Sequence, residues 1–309
     1  YIMTEKVHNF IVTGGCGFIG SHLTEALLLH GQNVLVIDDM RKGKFKVENS
    51  PNVKYLHKDV ASAIPVGKYD AIFHLAATPR IRLSQNDPFG TITNNFNSTM
   101  VVAEYARRER IPLFFAASSS TQFLHHHDNP YTFSKCINEE LLELYRKQYN
   151  LEYHMLYFYN VYGPREADYG EHSTVVRAFK KCIEENEPLR IFGSGKKERD
   201  FTHIHDVIDG ILKLLTTKSK PKNVHFGSGN PVSISEVAKA FDHPVVYEFD
   251  KKGEAEVTEC ENPYIEPQYD VISYVKKWKS DFEEERILRN VNKDLRNVER
   301  KYAKIDSGQ

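Results

Sequence analysis

The run Thr13-Gly14-Gly15-Cys16-Gly17-Phe18-Ile19-Gly20 constrains the fold more than any other segment of the chain. It follows the apolar triplet Phe10-Ile11-Val12 and precedes a helix-like stretch over residues 19–30. Strand, glycine turn and helix in that order predict a βαβ unit that binds a dinucleotide. Gly14, Gly17 and Gly20 permit, in turn, a tight turn, close approach of a pyrophosphate, and close helix–strand packing. The helix N-terminus adds amide donors and a favourable dipole for the anion, so Gly14, Gly17, Phe18, Ile19 and Gly20 are expected to hold it. Asp38 closes the next apolar run, at the spacing expected of a residue that binds the adenosine ribose. A carboxylate there repels a 2′-phosphate and favours NAD over NADP, although Arg41 and Lys42 lie close by.

Further apolar runs at 34–37, 71–75 and 112–117 alternate with helical stretches near 94–109 and 132–149. Alternation of this kind predicts an α/β fold, a doubly wound, Rossmann-like parallel sheet covered on both faces. Past residue 163 the pattern loosens, with helices expected near 173–185 and 204–216 around the turn Phe192-Gly193-Ser194-Gly195. We expect a cofactor domain of residues 1–162 plus about 201–230, and a smaller discontinuous α/β substrate lobe of 163–200 plus about 231–280. Residues 281–309 are highly charged, with Phe282, Ile287, Leu288, Val291 and Leu295 at partly helical spacing, and suggest an amphipathic helix or tail.

A formal charge of −1 gives no electrostatic case for nucleic acid or an anionic membrane. No stretch approaches the apolar length of a membrane span, and no signal peptide is visible. The scattered Cys16, Cys136, Cys182 and Cys260 lack metal-ligand spacing and fit a reducing, cytoplasmic compartment.

Tyr131 and Lys135 stand four residues apart in Asn-Pro-Tyr-Thr-Phe-Ser-Lys (129–135), which puts both on one face of a helix. An ammonium beside a phenol favours the phenolate and can make a base of it near neutral pH. The spacing alone arises often by chance; joined to a cofactor loop it points to hydride-transfer chemistry.

With both features present the sequence resembles the extended short-chain dehydrogenase/reductase family, and within it the nucleotide-sugar epimerases and dehydratases. Landmarks in order are Thr-Gly-Gly-Cys-Gly-Phe-Ile-Gly (13–20), Lys-Asp-Val (58–60), His-Leu-Ala-Ala (74–77), Asn95 and the serine run 118–120. They continue through Tyr131 and Lys135, Asn-Val-Tyr-Gly-Pro-Arg (160–165), Arg199 and Lys-Gly-Glu (252–254). The resemblance implies that Asp59 and Val60 approach the adenine, and that Leu75, Ala76, Ala77 and Asn95 line the cofactor. It implies that Ser120 relays the proton and binds the sugar's 4-oxygen, while Asn160 and Arg199 bind the nucleotide diphosphate. Lys251 and Lys252 stand where the family usually has a second arginine.

The family chemistry passes through a transient 4-keto sugar, which can be returned as an epimer, dehydrated or decarboxylated. Dehydratases of this kind carry an Asp-Glu pair where this chain has Thr121 and Gln122, and decarboxylases a glutamate at the latter position. Simple C4 epimerisation needs neither carboxyl, so a UDP-hexose epimerase is expected, with a dehydratase, decarboxylase or reductase, or a non-catalytic nucleotide-sugar binder, as alternatives. Only ten residues separate Ser120 from Tyr131, fewer than is usual, and His125-His126-His127 fills part of that gap. In an extended chain consecutive imidazoles point in alternate directions, so no metal is expected. A homodimer through the helices near 94–109 and 132–149 is a further implication of the resemblance.

Overall fold

The computed structural model describes residues 6–306 except 42, 48, 49, 63, 167, 169–172, 251 and 252, with side chains of the last helix through Arg289. The first half alternates as expected. Strands β1 (Asn9–Thr13) and β2 (Asn33–Asp38) flank helix α1 (Phe18–Leu29), followed by β3 (Val53–His57) and β4 (Ala71–His74). Helices α2 (Ile81–Asn86) and α3 (Pro88–Glu109) lead to β5 (Leu113–Ser118), the single turn α4 (Ser120–Phe123), α5 (Pro130–Tyr149) and β6 (Tyr153–Phe158).

Both long helices begin earlier than their apolar periodicity suggested, for the same reason. Pro88 and Pro130 occupy first-turn positions, where a missing N–H costs nothing. Asp87 and Asn129 cap those turns, accepting from Gly90 N and Thr132 N at 2.8 Å each. The second cap therefore places Tyr131 in the first turn of α5, at the mouth of the site.

The remaining elements are β7 (Val161–Tyr162), α6 (Val175–Glu184), β8 (Leu189–Phe192), β9 (Glu198–Asp200), β10 (Thr202–His203) and α7 (Ile204–Thr216). They end with β11 (Asn223–Phe226), β12 (Pro231–Ser233), α8 (Ile234–Ala240), β13 (Val245–Glu248), β14 (Val257–Thr258) and α9 (Val271–Asp306).

Seven parallel strands form one sheet in the order β3-β2-β1-β4-β5-β6-β11. Strand order reverses between β1 and β4, so a crevice opens there beyond the carboxyl ends. Thr13, Asp38, His74 and Ser118 close their strands on that edge. Alternate residues of each strand feed opposite layers: Val12 and Phe73 pack with Leu23, Leu27 and Val207, whereas Ile11 and Ile72 pack with Val102, Ala106 and Leu142. A separate core joins α6, α8 and β8, and the first turns of α9 belong to it through Val271, Val275, Trp278 and Phe282. Beyond those turns Ile287 and Leu288 are both 61 % exposed. Among the described residues no helix is long and apolar enough to cross a membrane.

Candidate active site

The glycine loop is built as a cradle. Gly14 has φ +69°, and a Cβ there would lie 2.7 Å from Ala76 N. A Cβ at Gly20 would collide with the Gly14 carbonyl oxygen. Gly17 is the N-cap of α1 and offers no side-chain cap, so the first-turn amides are left for a ligand. Phe18 and Ile19 pack their side chains on the core beneath, which fixes that turn. Such a backbone, free of side chains and rich in donors, fits a pyrophosphate.

Asp38 stands beside it, accepting from Cys16 N at 3.0 Å and Met40 N at 2.8 Å. Arg41 is committed to Asp39 and lies 3.7 Å from Asp59, which leaves the carboxylate of Asp38 to set the local charge. Lys42 lies outside the described residues. Asp59 accepts from Ala61 N at 2.9 Å and Val60 is buried beside it. The turn Leu75-Ala76-Ala77 is tied to β1, with Leu75 N donating to Thr13 O at 3.1 Å and Ala76 N to Thr13 Oγ1 at 3.2 Å. Asn95 is 1 % exposed, and its amide bonds Thr78 N, Thr78 O and Ser134 Oγ. It braces the turn after β4 against α5.

Tyr131 and Lys135 do share a face of α5, with the ammonium 5.9 Å from the tyrosine ring centroid. Their electrostatics differ from the simple expectation. Lys135 is 4 % exposed and donates to Ala116 O at 2.8 Å, with the Phe115 ring 5.0 Å away. Burial pushes its pKa down to about 8, and Glu139 opposes that fall. Burial raises the Tyr131 phenol, and the influences that favour its phenolate are the Ser118 hydroxyl and the Arg80 guanidinium. Lys135 thus faces the strand carbonyl, not the phenol oxygen.

Ser120 does enter this network. Its hydroxyl lies 2.9 Å from Ser118 Oγ and accepts from Thr132 Oγ1 at 3.0 Å. Sequence reading overlooked Ser118, although its place in the serine run was the available signal. It also overlooked Glu139, which has no sequence signal beyond lying one turn past Lys135. Glu139 approaches Thr121 Oγ1 at 2.9 Å and accepts from Tyr157 Oη at 3.2 Å.

The residues expected at the diphosphate meet near β9: Asn160 follows β6 and Arg199 is on β9. Asn160 donates to Asp200 O at 3.2 Å and Thr258 Oγ1 at 3.1 Å. Buried Arg199 donates to Glu198 O at 2.8 Å and to Glu254 at 3.3 Å. Glu254 also receives Arg82 at 3.0 Å, so an arginine of α2 and one of β9 converge on one carboxylate. Lys251 and Lys252 lie outside the described residues. Gly253, at φ +87°, packs close to Gln85 and to Asp128 O, and so brings this segment onto the short loop before Tyr131.

That loop is a turn and not an extended strand. Asp128 N donates to His125 O, and the Asp128 carboxylate accepts from His125 N at 2.8 Å. The turn gathers the three imidazoles, whose ligand atoms lie within 4.8 Å of one another. Their ring centroids are 4.0–4.9 Å apart, two of the pairs edge to face and one tilted, a cluster compact enough to hold a metal ion, contrary to the expectation for an extended chain.

The family model described as NAD dependent epimerase/dehydratase matches residues 10–227. A putative UDP-glucose 4-epimerase of Methanocaldococcus jannaschii is 29% identical over 269 residues, covering 80% of this chain and 87% of that protein. A UDP-N-acetyl-alpha-D-glucosaminuronate decarboxylase of Bacillus cytotoxicus is also 29% identical, over 74% of this chain and 78% of its own. Among solved structures, UDP-glucose 4-epimerase of Thermotoga maritima with UDP-glucose superposes with a TM-score of 0.78 at 24% identity. It covers 89% of this chain and 99% of its own.

Proposed function

Because the chain belongs to the NAD-dependent epimerase/dehydratase family, an enzyme family with NAD as cofactor, we propose that it is a C4 epimerase of a UDP-hexose. NAD, when bound, supplies a reversible acceptor for one hydride. Gly14, Gly17, Phe18, Ile19 and Gly20 would hold its pyrophosphate, Asp38 its ribose, Asp59 and Val60 its adenine, and Leu75, Ala76, Ala77 and Asn95 its length.

Tyr131 removes the proton of the sugar's 4-hydroxyl and later returns one to the 4-oxygen. Ser120, held by Ser118 and Thr132, positions that oxygen by hydrogen bond. Lys135 contributes a buried positive charge beside the reacting centre. Asn160, Arg199 and Lys251 are assigned to the diphosphate. The proposal divides the chain into a cofactor domain (1–162 plus about 201–230) and a substrate lobe (163–200 plus about 231–280), with Asn160 close to the boundary between them.

One observation carries the choice of epimerase. Neither Thr121 nor Gln122 supplies a carboxyl, and the half-buried carboxyl of Glu139 is engaged by Thr121 and Tyr157. Elimination or decarboxylation has no evident acid–base pair to use, whereas epimerisation moves only one proton and one hydride. A homodimer across α3 and α5 is part of the proposal, supported by exposed Met100 and Leu144 on those helices. A cytoplasmic setting is supported by four free cysteines.

The test is incubation of the NAD-loaded protein with UDP-, GDP- and dTDP-sugars, followed by NMR of the anomeric region. Interconversion of the C4 epimers of a UDP-hexose is the expected outcome. A product lacking the C6 oxygen, released carbon dioxide, or binding without conversion would refute it.

A further inference from the structure

His125, His126 and His127 take no part in the reaction proposed above, yet the turn that carries them is built. His125 O accepts from Asp128 N at 2.9 Å, which closes a four-residue turn with His126 and His127 at its centre. The Asp128 carboxylate accepts from His125 N at 2.8 Å and locks the same turn a second time. Both ends are anchored: Leu124 N donates to Ser120 O at 2.9 Å, and Asn129, 4 % exposed, caps α5. His125 and His127 are exposed. Among the described residues this is the one group of three histidine, cysteine or carboxylate side chains whose ligand atoms gather in this way.

We propose that these three imidazoles bind a divalent transition-metal ion of the zinc type. Neutral imidazole is a ligand that suits such ions. Three nitrogens on one ion, each about 2.0–2.1 Å from it, lie roughly 3.0–3.4 Å apart. The ligand atoms of the triplet already lie within 4.8 Å of one another. The rings have less still to do. Imidazoles on a shared ion have centroids roughly 4.5–5 Å apart, and here the separations are 4.1, 4.9 and 4.0 Å. Rotation of the side chains therefore aims the nitrogens without a change in the turn.

The cost of binding is small. His127 N donates to His125 Nδ1 at 3.3 Å, a long hydrogen bond. An ion at Nδ1 takes that lone pair, and an ion at Nε2 moves the ring proton to Nδ1. In either case this one weak bond is what the turn gives up. Asp128, fixed in the same turn, adds a negative charge beside the cation. Three protein ligands leave a further position for water. The site stands on the short loop from Ser120 to Tyr131, and Gly253 packs close to Asp128 O. A bound ion would thus fasten the segment that leads into the first turn of α5.

The experiment is calorimetric titration of zinc chloride into the NAD-loaded protein, freed of metal beforehand by dialysis against EDTA. One zinc ion per chain is expected, and the double variant His126→Ala/His127→Ala should bind it roughly 10²-fold more weakly. A variant that binds zinc as tightly as wild type, or a wild type that binds none, overturns the proposal. X-ray absorption of the zinc-loaded wild type gives a second measurement that needs no variant to fold. Three imidazoles around the ion are expected. Fewer than three, or a sulfur ligand from Cys136 or Cys182, overturns the proposal. Neither readout uses turnover, so a protein that converts no nucleotide sugar would refute the proposed function and leave this inference to stand or fall separately.

Discussion

Lys135 and Lys180 are both lysines buried in helices, at 4 % and 5 % exposure, and burial pushes each down to about 8. They differ in what surrounds them. Lys180, on α6, donates to Tyr274 Oη at 2.8 Å and lies 4.5 Å from that ring and 5.3 Å from the Trp278 ring. Glu166 opposes the fall in its pKa, and the Tyr274 and Trp278 contacts tie α9 to α6. Lys135 sits instead at the carboxyl edge of the sheet, in the crevice where strand order reverses, with Tyr131 one turn away. A depressed lysine is therefore no signature of catalysis by itself. The position of the group relative to a cofactor cradle decides what it can do.

The contrast can be broken most sharply at the base. Tyr131→Phe removes the proton acceptor and should lower turnover of a UDP-hexose by roughly 10³-fold, with NAD still bound, as judged by NMR conversion and by cofactor content after gel filtration. Replacing each lysine separates the two regions. Lys135→Met should cost roughly 10²-fold in turnover. Lys180→Met should leave turnover within about threefold, because the contacts it loses are with Tyr274 and Trp278 of α9 and not with the crevice. Equal loss of turnover in both variants would erase the distinction drawn here.

Stability against pH sharpens it further. A lysine whose native value lies near 8 releases its proton before the unfolded chain does. Between about pH 8 and 10.5 the unfolded state then binds more protons, and this group's burden on the fold lessens as pH rises. Lys135→Met removes that burden. Urea unfolding should show it more stable than wild type by about 1–3 kcal/mol below pH 8, with the advantage fading towards pH 10. A variant less stable at every pH would mean that the contacts of Lys135 outweigh its burial. The smallest effect expected is at the ribose: Asp38→Asn should narrow the preference for NAD over NADP by about tenfold, read from the two dissociation constants.

The parts of the site that were legible in the sequence are those carried by local geometry. A glycine at φ +69° and another packed against a carbonyl leave a mark at fixed spacing, and so does a tyrosine four residues before a lysine. Pro88 and Pro130 were legible too, but as helix breakers they hid helix starts until their caps were seen. Strand β3 escaped notice because Lys54 and His57 interrupt an edge strand that is only half covered. The rest depends on contacts between distant segments. Glu139 meets Thr121 and Tyr157 across 18 residues in each direction, and Glu254 meets Arg82 across 172. No periodicity records such meetings. The histidine triplet shows the opposite error, since its spacing was read on an extended chain and Asp128 folds it into a turn.

The central claim is that Tyr131 and its neighbours oxidise C4 of a nucleotide sugar and restore it within one turnover. UDP-glucose carrying deuterium at C4, incubated with the NAD-loaded protein in ordinary water, tests this directly. The account predicts UDP-galactose that retains the deuterium at C4. Product with hydrogen from solvent at that carbon, or no change at C4 at all, would contradict it.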